Sequence, residues 1–79
     1  MAIDILSLAG EMSSAIEFDA SNNPIYVGEA KPSTAPSSTG WRVKRITFDV
    51  SNNPTNVEWA EGTAEFDKVW DDRLIYRYS

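Results

Sequence analysis

The sequence predicts an all-β or β-dominated domain. A duplicated β-hairpin should form a small antiparallel sheet or sandwich, with one short helix near residues 63–72. Three observations lead there. The stretch FDASNNPIYV at 18–27 returns as FDVSNNPTNV at 48–57. On both sides of each SNNP, apolar and polar residues alternate with a period of two, the spacing of a half-buried strand. Between those runs stand Asp, Ser, Asn and Pro, residues that build short turns.

The repeat extends beyond the turn. Ile16 matches Ile46, Phe18 matches Phe48, Asp19 matches Asp49, Val27 matches Val57 and Ala30 matches Ala60. Stacked solenoids need about three units or more, so two copies point to a duplicated hairpin. Asp at the head of each loop can accept backbone N–H bonds two residues on, and Asn tolerates left-handed backbone angles. The residue before proline is pushed toward extended geometry, and proline cannot donate to a ladder. Pro24 and Pro54 therefore belong at a strand's first residue or on an edge. Asp19-x-Ser21-x-Asn23 and Asp49-x-Ser51-x-Asn53 imitate the first oxygen ligands of a calcium loop. However, Pro24 and Pro54 stand where that loop needs Gly, and Ala30 and Ala60 where it needs a bidentate Glu. The expectation is an ordinary hairpin turn, with no metal and no cofactor.

Taken in order, residues 1–15 read as an N-terminal arm or short strand, and 16–79 as one β-rich domain. MAIDILSLAG has no basic segment before its apolar residues and carries Asp4 among them, which argues against a signal peptide. From Ala15, Ile16 and Phe18 point one way and Glu17 and Asp19 the other, with Ile25 and Val27 resuming after the loop. KPSTAPSSTG at 31–40 holds two prolines, five Ser/Thr residues and a glycine. It reads as an exposed loop able to lie on a neighbour. In WRVKRITFDV the apolar parity changes between Val43 and Ile46. Either a bulge near Lys44 and Arg45 corrects the register, or both faces of the strand are covered. Val57 and Trp59 close the second hairpin. Thr63 is a candidate N-cap for two helical turns, with Phe66, Val69 and Trp70 on one stripe. RLIYRYS alternates again and reads as a final strand.

Composition narrows the function. A chain of 79 residues makes at most one domain, and one of marginal stability. There is no cysteine for a disulfide and no histidine for a zinc site. A partner chain is the remaining way to reinforce so small a scaffold, so a homo-oligomer or docking on a larger body is expected. The formal net charge of −5 suits neither phosphate neutralisation nor direct nucleic-acid binding. No apolar run approaches the roughly 20 residues that span a bilayer, so no membrane partner is expected.

Two residue groups invite a chemical reading. Glu65, Asp67, Asp71 and Asp72 cluster beside Trp70, and paired carboxylates can hydrolyse glycosides. That chemistry wants a cleft and a buried, tuned pair, so a solvated or salt-bridged acidic face is the expectation and no catalytic residue is assigned. Nine aromatics stud the chain. A solvent-facing Trp/Tyr stripe would make a small carbohydrate-binding module; the alternative is core and subunit interface, where aromatics are enriched. Trp41, Trp59, Trp70, Tyr76 and Phe66 are the expected interface or core anchors.

The segment from Ile16 to Ser79 also resembles small tailed-bacteriophage virion proteins and fibre-attachment segments. Their pattern is a Y-x-G-x-A-x-P-G-like start, a W-R-I/V-x-K/R-I core, and W-A-D/E-G-x-x-x-F-D-x-V/I-W-D-x-R ending in Y-x-Y-S. The matching residues are Tyr26, Gly28, Ala30 and Pro32, then Trp41, Arg42, Val43, Arg45 and Ile46. Trp59, Ala60, Glu61, Gly62, Phe66, Asp67, Val69, Trp70, Asp71 and Arg73 follow, then Tyr76, Tyr78 and Ser79. Ser33 departs from the pattern, which often has Gly there, and residues 1–15 have no counterpart in it. The resemblance implies a non-enzymatic structural protein located in the virion, decorating the capsid or connecting tail and fibre components, with other virion proteins as partners. A carbohydrate-binding module for host-surface recognition is the alternative, and a minimal carboxylate hydrolase the third reading.

Overall fold

The computed structural model describes residues 12–79. The expectations for residues 1–11 lie outside the described residues. Five strands follow one another: β1 (Ser13–Phe18), β2 (Pro24–Ala30), β3 (Thr39–Phe48), β4 (Pro54–Trp59) and β5 (Lys68–Val69). They form one antiparallel sheet, in the order β1-β2-β3-β4, with β5 also paired to β3. The protein is β-dominated, as the alternation predicts, and its only helical element among the described residues is a 3-10 turn at Trp70–Asp72.

The two hairpins are the same object built twice. In each loop the Asp N–H donates to the Asn carbonyl four residues on, at 2.9 Å (Asp19 to Asn23, Asp49 to Asn53). Asn22 and Asn52 donate back to Asp19 and Asp49 at 3.0 Å. Both of these asparagines sit at φ 66°, left-handed backbone that Asn bears better than most residues. Each strand pair shifts register at the same place, Glu17/Phe18 and Thr47/Phe48, and each SNNP proline is the first residue of its strand.

β3 organises the sheet because it is ten residues long. One edge pairs with β2 from Trp41 to Arg45. The other edge takes β4 along Lys44–Phe48 and β5 at Thr39 and Trp41. The register runs unbroken through Lys44 and Arg45. A bulge at that point is therefore not how the parity change is met: Trp41 and Val43 face one side, Ile46 the other.

The side carrying Trp41 and Val43 is the covered one. Ala30, Trp41, Val43, Ala60 and Trp70 form the buried core, with Ala15, Tyr26, Tyr76 and Tyr78 packed against it. The cover is the chain after β4, not a second sheet, so the architecture is a sheet and not a sandwich. β1 begins at Ser13, and it turns Ala15 inward while Ile16 and Phe18 remain 48% and 53% exposed. The alternation is as read, but its apolar side is the open one.

Two further expectations are corrected. The helix over 63–72 is reduced to Trp70–Asp72. Thr63 Oγ1 accepts the Glu65 N–H at 2.9 Å in a local turn. Lys68 and Val69 are drawn into the sheet by the otherwise unpaired start of β3. A segment of two turns gains little from helix formation alone, and ladder bonds with burial of Trp70 outweigh it. Nor is 73–79 a strand: Arg73 and Ile75 donate to Trp70 and Asp72 carbonyls in successive turns, and pairing is limited to one bridge, Ala60 with Tyr78. Leu74 and Ile75 stay 68% and 78% exposed.

The 31–40 loop is folded onto its own chain. Trp41 Nε1 donates to the Ala35 carbonyl at 2.9 Å, and the Asp71 N–H to the Pro36 carbonyl at 3.0 Å. Most of its residues are exposed, as the composition predicts.

Candidate interaction surface

The side of the sheet left open by the described residues carries an apolar surface. Strand pairing places Ile16 beside Val27, Val27 beside Lys44, and Lys44 beside Trp59, one row across all four long strands. Two residues along β3, Ile46 stands beside Val57, and Ile25 shares a shallow hollow with Ile46. Val57 is 57% exposed. A contiguous aliphatic surface on a sheet face is unlike the singly scattered apolar residues of ordinary protein surfaces.

Charge borders this surface on one side. Glu29 Oε1 accepts the Arg42 Nε–H at 2.7 Å across β2 and β3. The Arg42 guanidinium lies 4.7 Å from the Phe66 ring centroid and 5.6 Å from that of Trp59, whose ring also receives Lys44 Nζ at 5.5 Å. Cations over aromatic faces hold these rings in place and keep the rim polar. At the opposite end stand the two SNNP loops. Asn23 Nδ2 donates to Asn52 Oδ1 at 2.9 Å, tying one turn to the other.

The turns themselves are self-satisfied. Asp19 Oδ1 accepts the N–H groups of Ser21 and Asn23 at 2.8 and 3.0 Å, and Asp49 Oδ1 those of Ser51 and Asn53, both at 2.9 Å. The bonds from Asn23 and Asn53 hold both carboxyls below the ordinary aspartate range. These carboxylates serve as turn acceptors. Among the described residues no group of three acidic side chains converges as a metal site would require.

The five anchors separate into distinct environments. Trp41 and Trp70 are interior, 2% and 8% exposed, with ring centroids 6.0 Å apart. Tyr76 is half-buried against that core, its hydroxyl accepting the Val69 N–H at 2.8 Å. Trp59 is half-buried on the open side and Phe66 is 44% exposed beneath Arg42. The structure thus brings Trp41, Trp70 and Tyr76 together, and separately Trp59 and Phe66. Tyr26 and Tyr78 are half-buried as well, their rings 5.7 Å apart, and no fully exposed Trp or Tyr stands among the described residues. Glu65, Asp67, Asp71 and Asp72 are all exposed, and Asp67 pairs with Lys68.

Comparisons with protein-family models, with curated proteins and with solved structures give no match to this chain.

Three features escaped sequence reasoning. Lys68 is buried, 6% exposed, although lysine is almost always a surface residue; nothing in its local sequence signals this. The Asn23–Asn52 bond depends on the two hairpins lying side by side. The strap from Arg73 Nε to Glu17 Oε1, 2.8 Å, joins residues 56 positions apart. The duplication itself was the only available signal for the second of these.

Proposed function

We propose that the protein is a structural component of a bacteriophage virion. It decorates the capsid or connects tail and fibre components by burying its open sheet face against neighbouring subunits. The single observation behind this reading is the uncovered row Ile16–Val27–Lys44–Trp59 with its neighbours Ile46 and Val57. Fully burying one such aliphatic side chain is worth about 1.5–3 kcal/mol. Several of them lie half-covered on a flat, hydrogen-bonded platform that loses little freedom on association. The pattern from Tyr26 to Ser79 supports placing that contact in a virion.

The experiment is incorporation. Purified particles should contain the wild-type protein in stoichiometric amount. Ile16→Lys and Val57→Lys variants should fold yet be depleted from particles at least tenfold. Absence of the protein from purified particles, or undiminished incorporation of both variants, overturns the reading.

A further inference from the structure

The duplication is not closed. β2 of the first hairpin pairs with β3 of the second, Tyr26 opposite Arg45, Val27 opposite Lys44, and Gly28 opposite Val43. The two hairpins repeat at an interval of thirty residues, so β4 is the counterpart of β2 and β1 the counterpart of β3. The edge that β2 offers to β3 is therefore offered again by β4, and the edge of β3 that receives it is offered again by β1. Among the described residues no strand lies beyond β1, and the C-terminal residues pair only with 59–61, leaving the outer edge of β4 open over Thr55–Val57.

We propose that β4 of one copy pairs antiparallel with β1 of the next, in the register that β2 and β3 already use. Carried forward by the repeat interval, Val57 would stand opposite Ser14 of the neighbouring copy, Asn56 opposite Ala15, and Thr55 opposite Ile16. The faces agree. Val57 and Ser14 both lie on the open side, so the aliphatic surface continues from one copy into the next.

The loops supply an independent argument. Asn23 donates to Asn52 within the chain. Asn53 repeats Asn23, holding the same bonds to its own Asp49 that Asn23 holds to Asp19. Asn22 repeats Asn52 in the same left-handed conformation, φ 66° at both. A donor like Asn23 and an acceptor like Asn52 are thus presented at the two outer ends of the molecule. The proposed pairing sets Asn53 of one copy against Asn22 of the next.

Such a contact joins two different edges, so it is heterologous and makes a ring or a filament instead of a two-fold dimer. Closure depends on the twist that each four-strand unit adds, which is right-handed and roughly 20–25° per strand pair. Residues 77–79, bridged to 59–61, stop the pairing short of Trp59 and leave a contact of about three residues on each strand. Short edge contacts of this kind assemble in proportion to concentration. The inference shares with the proposed function only its reliance on contacts between subunits, and it stands or falls on the purified chain.

The test uses the native absence of cysteine. Ser14→Cys and Val57→Cys are exposed substitutions, and within one chain they sit on opposite edges, three strand spacings (about 14 Å) apart across the sheet and four residues (about 13 Å) apart along it. That separation forbids an internal disulfide. Oxidising a mixture of the two single variants should give a disulfide-linked dimer, and oxidising the double variant should give a ladder of multimers. Replacing Val57→Cys by Glu58→Cys, which faces the other side of the sheet, should reduce the yield at least tenfold. Thermal melts matching wild type establish that each variant folds. Three outcomes overturn the inference: no ladder from a folded double variant, self-linking of Val57→Cys alone at equal yield, or a strictly monomeric mass for the wild-type chain at all concentrations. A ladder from a protein absent from particles would sustain the inference while removing the virion reading, and the reverse pattern would do the opposite.

Discussion

Gly28 lies directly under the Trp70 indole. A Cβ built on Gly28 would stand 2.5 Å from Trp70 Cε3 and 2.9 Å from Cζ3, with Trp41 Cε3 at 3.1 Å. The absence of a side chain in the middle of β2 is what lets the C-terminal segment settle on the sheet. Gly28→Ala should therefore destabilise the protein by about 1–3 kcal/mol, the usual cost of overpacking. In a Trp70→Ala background the same substitution should cost far less. Urea titrations of the four proteins measure this, and equal penalties in both backgrounds would refute the steric account.

The two tryptophans Trp70 and Trp59 should behave differently. Trp70 is interior and stacked near Trp41. Trp70→Ala should cost about 3–5 kcal/mol, a large share of the stability of a domain this small. Trp59 is half-buried on the open face. Trp59→Ala should keep the native circular dichroism spectrum while weakening the association proposed for the open face. Loss of folding in Trp59→Ala would show that the open face is needed by the single chain.

Acid should loosen both hairpins together. Asp19 and Asp49 have carboxyls held below the ordinary aspartate value, first through the N–H of Asn23 and Asn53. A depressed folded value means the ionised form is favoured by the fold. The stabilisation is present above the unfolded value, about 3.9, and is lost as pH falls through the lower folded value. Wild type should lose stability as pH drops below about 4, and the Asp19→Asn/Asp49→Asn double variant should show a shallower loss over that range. Parallel acid melts would remove the two carboxylates from the account.

The strap between Arg73 and Glu17 ties the C-terminal segment to the edge strand at 2.8 Å, with Arg73 also stacked 4.5 Å from the Trp70 ring centroid. Both side chains are partly exposed, 22% and 36%, so solvent screens the pair. A double-mutant cycle with Glu17→Gln and Arg73→Gln should give a coupling of about 0.2–1 kcal/mol, diminishing at 1 M salt. A coupling unchanged by salt would point to packing of the guanidinium on Trp70 instead.

Local chemistry in the sequence determined the two hairpins outright. Asp19 and Asp49, the asparagines at φ 66° and the strand-opening prolines act within their own loops, so their effect could be read residue by residue. Period-two alternation likewise determined which residues share a side of each strand. It could not determine which side is covered, because Ile16 and Val57 carry the same apolar signal as Val43. That was decided in three dimensions, where Trp70 fits against Gly28 and draws the last residues, with Tyr76 and Tyr78, over the Trp41 and Val43 face. The same competition turned Lys68 and Val69 from an expected helix into strand, since β3 runs past the end of β4 and leaves backbone groups to be paired. Hydrogen-bonding demand and close packing between distant segments are properties of the assembled sheet, and no local pattern of residues encodes them.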